Sequence, residues 1–130
     1  AACVVHQGKV IALECNRVLV DNDPTAHAEM LAISQASRHL SVEQLSQCEL
    51  YSTVEPCSMC LSAAHWAGIR RIAFGARQSD EQRFGLAQPT IPSAEMARLL
   101  ASPLDLQPDL CREEVLALFE RWLTRAVPAS

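Results

Sequence analysis

The spacing of four reactive side chains is the feature that most limits how this chain can fold. A histidine and a glutamate stand two positions apart in "TAHAEM", and two cysteines stand three positions apart in "VEPCSMC". His27 and Cys57 are 30 positions apart. The β-rich stretch "ELYSTV" lies between the two motifs. If these side chains act together, the starts of two helices must meet beside adjacent strand ends.

Local patterns place each motif at the start of a helix. We expect Asp23 to be the N-cap and Pro24 the first helical residue of an amphipathic helix over 25–38. Pro56 opens a second helix, and Gly68 is a natural residue to end it. Both motifs therefore lie in the first turns of their helices, where backbone N–H groups are unpaired.

The remaining elements alternate between strand and helix. The sequence predicts a hairpin of strands 2–5 and 9–13 around Gly8, further strands over 49–54, 70–75 and 103–107, a long loop over 76–92, and helices over 93–101 and 113–125. Such alternation predicts a three-layer α/β domain with at least part of its sheet parallel.

Composition limits the class of protein. The 130 residues are 49% hydrophobic with a formal net charge of −4, which predicts one domain spanning 1–130 with a real core. No apolar run is long enough for a membrane helix, and no signal-peptide pattern is present, although a chain that starts at Ala1 leaves targeting open. The absence of a Lys/Arg run argues against a broad nucleic-acid surface without excluding a small basic groove.

Six cysteines raise the question of disulfides. Only Cys57 and Cys60 are clustered, and the other four are scattered singly. We therefore expect reduced thiols in a cytoplasmic protein, with one pair reserved for metal or redox work.

Zinc fits the donor set best. Catalytic zinc sites use three nitrogen and sulfur ligands and leave the fourth position to water, and His27, Cys57 and Cys60 supply such a set. Glu29 is the candidate base beside that water. Positions two apart on a regular helix diverge by roughly 200°, so His27 must lie at the helix edge for both side chains to reach one ion.

The stretches "NDPTAHAEM" and "LYSTVEPCSMCLSAAHWAG" resemble the cytidine deaminase superfamily, above all its cytosine/guanine deaminase and tRNA-adenosine deaminase-like branch. The resemblance implies an α/β/α sandwich around a five-stranded mixed sheet, one zinc ion per chain and a homodimer. Members usually have another helix before the first hairpin, which this chain lacks.

The implied reaction is hydrolytic deamination of a nucleobase, related amino-heterocycle or nucleoside, with release of ammonia. Glu29 would take a proton from water and pass it to the ring. Candidate substrate contacts are Asn16, Ala28 and Pro56 from the resemblance, and Phe84 and Trp122 as an aromatic lid. Asn16 as a turn residue and Trp122 as a packing residue are the alternatives.

A small nucleobase is the first choice of substrate. A tRNA-adenosine deaminase would need cationic contacts to phosphate, which the acidic balance disfavours. Guanine deaminases resembling this chain carry an acid where "FGLAQP" has none, which leaves Asp80 and Glu81 as the nearest acids. A non-catalytic zinc module is a further alternative, and it would need a fourth ligand from Cys48, Cys15 or His39.

Overall fold

The computed structural model describes residues 1–86 and 90–126, and over these residues the chain forms one five-stranded mixed sheet with helices on both faces. The strands are β1 (Ala2–His6), β2 (Lys9–Glu14), β3 (Glu49–Val54), β4 (Arg71–Ala76) and β5 (Asp105–Gln107), in the spatial order β2-β1-β3-β4-β5. The pairs β1/β2 and β1/β3 are antiparallel, whereas β3/β4 and β4/β5 are parallel. The predicted sheet is thereby confirmed.

The helices are α1 (Val18–Asp21), α2 (Ala28–Ser37), α3 (Val42–Leu45), α4 (Ser58–Trp66), α5 (Gln78–Arg83), α6 (Ser93–Leu99) and α7 (Arg112–Ala126). Within residues 1–86 and 90–126, none is both long and apolar enough to cross a lipid bilayer. All six cysteines have free thiols, as their scattered positions predict.

The alternation of side chains along β4 shows which helices pack on each face of the sheet. Ile72 belongs to the core cluster that also contains Ala32 of α2 and Leu61 of α4. Gly75 has the opposite parity, and a Cβ built on it would meet Val115 of α7 at 2.7 Å. The sheet therefore lies between α2 and α4 on one face and α7 on the other, which is the predicted α/β/α sandwich.

The first hairpin follows the sequence closely. Gln7 and Gly8 form its turn with φ of 50° and 77°. Two positive φ angles are typical of the type I′ turn that matches the twist of a hairpin. β1 and β2 are each one residue longer than predicted.

The predicted start of α2 is wrong by four residues. Asp23 Oδ1 accepts hydrogen bonds from the Thr25 backbone N–H at 2.8 Å and from the Thr25 hydroxyl at 2.7 Å. This local turn competes with the helix, so His27 becomes the N-cap and Ala28 the first helical residue. Pro24 therefore precedes the helix.

Three short helices were not predicted. α1 and α3 have four residues each, and α5 lies inside the stretch 76–92 that the sequence predicts as a loop. Positions 87–89 of that predicted loop lie outside the described residues. Helices of four to six residues are too short to show an apolar period from which to predict them.

Candidate active site

The three predicted metal ligands lie at the starts of α2 and α4. His27 is the N-cap of α2 and Cys57 is the N-cap of α4, and both have extended backbone with ψ of 149° and 172°. Cys60 lies in the first turn of α4 and is fully buried. Because His27 precedes the regular helix, its side chain avoids the roughly 200° divergence expected within a helix.

The distances among the three ligand atoms fit a zinc ion. His27 Nδ1 lies 3.7 Å from Cys57 Sγ and 3.6 Å from Cys60 Sγ, and the two sulfurs are 3.6 Å apart. Tetrahedral zinc with ordinary bond lengths requires about 3.8 Å between sulfurs and about 3.6 Å between sulfur and nitrogen. The group can thus hold zinc, and among the described residues it contains three protein ligands.

The hydrogen bond between the two sulfur atoms moves the pKa values of the two thiols in opposite directions. It lowers the pKa of Cys57 to about 5. The same hydrogen bond, together with burial and the nearby Glu29 carboxylate, raises the pKa of Cys60. Thiolate is the form that binds metal, so the lowered pKa of Cys57 favours the binding of a cation.

Glu29 lies beside the ligand group, in the first turn of α2. Its side chain is buried, with 8% of the residue exposed. Ser52 on β3 donates a hydrogen bond from its hydroxyl to Glu29 Oε1 at 2.9 Å. One carboxylate oxygen is thus fixed by the sheet, which orients the group toward the same space as the ligands.

These residues line a cavity of about 640 Å³. Of the predicted substrate contacts, Asn16, Ala28 and Trp122 line the cavity together with His27, Glu29 and Cys57. Pro56 and Phe84 lie outside the lining. Pro56 is fully buried before α4, and the Phe84 ring packs edge to face on Phe119 of the cavity wall at 5.5 Å.

The sequence did not predict the wall that α5 contributes. Gln78 and Glu81 of α5 line the cavity, and so does Glu55 at the end of β3. Glu55 accepts backbone hydrogen bonds from Gln78 and from Ser93, each at 2.8 Å. One carboxylate therefore caps the first residues of both α5 and α6, and this contact was not predictable because the partners are 23 and 38 positions away.

Two bidentate ion pairs hold α5 against the start of α7. Arg112 donates to both oxygens of Asp80 at 2.9 and 2.7 Å, and Arg77 donates from Nε to Asp109 at 2.8 Å. Arg112 also lowers the pKa of Asp80 to about 2. These pairs fix the helix that carries Glu81 relative to the helix that carries Phe119 and Trp122.

A nitrogen–sulfur ligand group beside a buried carboxylate, placed at the starts of two helices in an α/β sandwich, is typical of a zinc-binding site. The model of the family described as "Cytidine and deoxycytidylate deaminase zinc-binding region" matches residues 1–76. The chain belongs to this family, which confirms the resemblance and the zinc cofactor.

Relatives of known activity fall in the predicted branch. The chain is 43% identical over 84 residues to the guanine deaminase of Bacillus subtilis (strain 168), and the match covers 65% of this chain and 54% of that protein. It is 47% identical over 75 residues to the tRNA-specific adenosine deaminase of Aquifex aeolicus (strain VF5), covering 58% and 50%. The chain thus spans about half the length of these relatives.

A solved structure confirms the fold. The structure of the guanine deaminase from Nitrosomonas europaea superposes with a TM-score of 0.79 at 30% identity. The superposition covers 95% of this chain and 71% of that one.

Proposed function

We propose that this chain is a zinc-dependent hydrolase that removes the amino group of an uncharged nucleobase or related amino-heterocycle as ammonia. The observation that carries the proposal is the position of Glu29: its buried carboxylate lines the same cavity as His27 and Cys57, and Cys60 Sγ lies 3.6 Å from the ligand atoms of both. An open metal position and a base in the same enclosed space are what a hydrolytic site needs.

Each residue has a distinct role in the proposed mechanism. His27, Cys57 and Cys60 would hold a zinc ion, which when bound would supply nucleophilic water at neutral pH. Glu29 would take a proton from the attacking water and deliver it to the ring nitrogen beside the carbon that carries the amine. The same carboxylate would then take the proton of the hydroxyl group that has formed on that carbon and pass it to the amine, which leaves as ammonia. Ser52 keeps Glu29 in place through these transfers.

The charges of the cavity support an uncharged substrate. Its titratable lining residues include Glu29, Glu55 and Glu81, and its described lining contains no lysine or arginine. Such a cavity repels phosphate, so a free base fits better than a nucleotide. The net charge of −4 likewise disfavours tRNA as a substrate, although one relative is named a tRNA-specific adenosine deaminase.

Asn16, Ala28 and Trp122 are the proposed substrate contacts within the lining. Asn16 Oδ1 accepts a hydrogen bond from the Val18 N–H at 3.1 Å, so Asn16 is also the turn residue that the alternative predicts. Its side-chain NH₂ group can still donate to a ring. Pro56 and Phe84 would act through the turn before Cys57 and through Phe119.

We further propose that residues 1–130 form a single deaminase domain that acts as a cytoplasmic homodimer. The side chains that favour self-association are Trp66 at the end of α4, which is 88% exposed, and Leu19 of α1, which is 95% exposed. Exposed apolar groups of this size are typical of interaction surfaces. Light scattering on a sizing column measures the mass, and a Trp66→Glu variant should be monomeric if α4 forms the interface.

The test of the activity is an ammonia-release screen of the zinc-loaded protein. Cytosine, guanine, adenine, isocytosine and amino-triazines serve as substrates, and a tRNA serves as the competing macromolecule. We expect release from at least one small base, and a loss of about 10³-fold in kcat for Glu29→Gln with full zinc content. Zinc retention with no ammonia from any compound would contradict the proposal.

A structural zinc module is the competing interpretation. It needs a fourth protein ligand, and none of Cys48, Cys15 and His39 belongs to the ligand group of the described residues. Cys48 instead donates its thiol hydrogen to the Gln44 carbonyl at 3.3 Å. Absorption spectra of the cobalt-substituted protein, which respond to added small anions only if a position is open, distinguish the two.

A further inference from the structure

Most polar groups of the cavity wall already have protein partners. Both oxygens of Glu55 accept backbone N–H groups. Gln78 accepts from the Thr90 hydroxyl at 2.8 Å and donates to the Ile91 carbonyl at 3.3 Å. The Thr53 hydroxyl donates to the Ala1 carbonyl at 3.3 Å. These side chains are thus engaged within the protein itself.

Glu81 differs from these neighbours. Its carboxyl lines the cavity, and in residues 1–86 and 90–126 it forms none of the hydrogen bonds or ion pairs that its neighbours form. The side chain is half-buried. Within the described part of the chain, this carboxyl therefore keeps its capacity to accept hydrogen bonds from a ligand in the cavity.

The backbone that carries Glu81 is fixed from both sides. Glu55 holds the first residue of α5 at Gln78, and Arg112 holds Asp80, the residue before Glu81. The Leu86 N–H donates to the Glu81 carbonyl at 2.9 Å. Glu81 is thus a carboxyl on a rigid support, as a recognition group needs to be.

The surroundings of Glu81 favour a ligand that donates hydrogen bonds. Burial and the charges of Glu29, Glu55 and Cys57 raise the pKa of Glu81 to about 7. A nitrogen-bound hydrogen offered to this oxygen would compensate for the lost hydration. A carboxyl oxygen accepts such a bond in either protonation state.

On the basis of the proposed function, we infer that Glu81 is a specificity-determining residue that accepts a hydrogen bond from a ring N–H of the substrate. The substrate class is then an amino-heterocycle that has a ring N–H in addition to the amine that leaves. Asn16 offers the matching donor from its side-chain NH₂ group to a ring nitrogen or carbonyl on another edge.

This assignment separates free bases from their N-substituted forms. A methyl group or sugar on the ring nitrogen that faces Glu81 replaces its hydrogen. Glu81 would then face a carbon atom and would accept no hydrogen bond there. Sites built to hydrogen-bond an N–H group reject analogues that lack it more strongly than apolar pockets reject size differences. The cavity would therefore prefer a base over the derivative substituted at the ring nitrogen that faces Glu81.

Three matched pairs of compounds test the inference: cytosine with 1-methylcytosine, guanine with 1-methylguanine, and guanine with 9-methylguanine. Guanine has two ring N–H groups, and each methylated form removes one of them. Ammonia release by the zinc-loaded chain gives kcat/KM, and calorimetry on a Glu29→Ala background gives Kd without turnover. In at least one pair we expect the N–H compound to be preferred at least tenfold.

Substitutions at position 81 separate recognition from folding. Glu81→Met keeps the length of the side chain and removes both oxygens, so it should abolish the preference while the methylated compound changes less than threefold. Glu81→Gln keeps a carbonyl oxygen and should restore part of the preference. Glu114→Met, at an exposed position of α7, is the control and should match the unmodified chain.

The outcomes are distinguishable. If Glu81→Met weakens both members of a pair equally, if the unmodified chain binds both equally, or if no base binds, the inference about Glu81 is overturned. If the chain binds the N–H compound selectively through Glu81 but releases no ammonia from any base, the proposed function fails while the role of Glu81 stands.

Discussion

The two sides of the cavity are built in different ways. The metal side consists of helix starts that rest on the packed core, with Cys60 fully buried beside Leu61 and Ala64. The opposite side consists of α5 and α7, which are joined by arginine–aspartate pairs between residues about 32 positions apart. The first side takes its geometry from packing, whereas the second takes it from charge. Chemistry and selectivity thus have separate structural supports.

The largest expected effect is a loss of zinc affinity when a metal ligand is substituted. Cys60→Ser should lower the affinity for zinc at least about hundredfold, because a buried hydroxyl replaces one of three ligands. Metal analysis after dialysis measures the loss. Cys48→Ser is the matched control, since Cys48 is equally buried but lies outside the ligand group, and it should keep its zinc.

The next largest effect is a loss of stability where α7 packs against the sheet. Gly75→Ala places a Cβ 2.7 Å from Val115 Cγ2 and 2.9 Å from the Thr53 carbonyl oxygen, so we expect the free energy of unfolding to fall by about 3 kcal/mol. Urea unfolding measures it. Gly8→Ala is the control: nothing lies within 4 Å there, and its φ of 77° alone should cost about 1 kcal/mol. Equal costs would refute the close contact.

A smaller effect comes from the ion pair between α5 and α7. Arg112→Gln leaves the nearly buried Asp80 with fewer donors and should cost about 2 kcal/mol. The exposed pair of Arg17 and Asp21 provides the control, and Arg17→Gln should cost about 0.5 kcal/mol at most. An Arg112→Gln variant as stable as the Arg17→Gln variant would contradict the assignment.

The same pair predicts a pH dependence. Since Arg112 lowers the folded-state pKa of Asp80 to about 2, ionised Asp80 stabilises the fold above its ordinary pKa of about 3.9. That contribution is lost as pH falls from about 4 through 2. Acid unfolding followed by circular dichroism should therefore begin at higher pH in Arg112→Gln. Identical acid transitions would rule out this contribution.

The smallest expected effect tests whether Ser52 positions Glu29. Ser52→Ala removes the hydrogen bond to Glu29 Oε1, and we expect kcat to fall about fivefold with zinc content and stability nearly unchanged. Ser46→Ala, which removes an exposed hydroxyl bonded to the Glu43 carbonyl, should leave kcat unchanged. If both variants behave alike, Ser52 has no positioning role.

The metal side was predictable from sequence because its signals are local. Pro56 and the spacing of Cys57 and Cys60 indicate a helix start, and the family resemblance adds His27 and Glu29. The prediction went wrong at Asp23, where a side chain competed with the helix for the Thr25 N–H group. Periodicity does not register such competition between neighbouring residues.

The α5 side was not predictable by the same means. The segment "QSDEQR" has no apolar period, so its helix depends on Glu55 and Arg112, which are distant in sequence. The placement of Glu81 in the cavity follows only from that helix. Phe119 and Trp122 show the opposite case: their helical period predicted α7 correctly, and Trp122 borders the cavity as the predicted aromatic lid requires.

Glu55 has a consequence for exchanging segments between relatives. Its two oxygens anchor α5 and α6 one residue before the turn that leads to Cys57. A chimera that imports 78–99 from another family member should therefore accept the graft only if position 55 remains acidic. This single carboxylate thus couples the segment that carries Glu81 to the turn that carries the metal ligand Cys57.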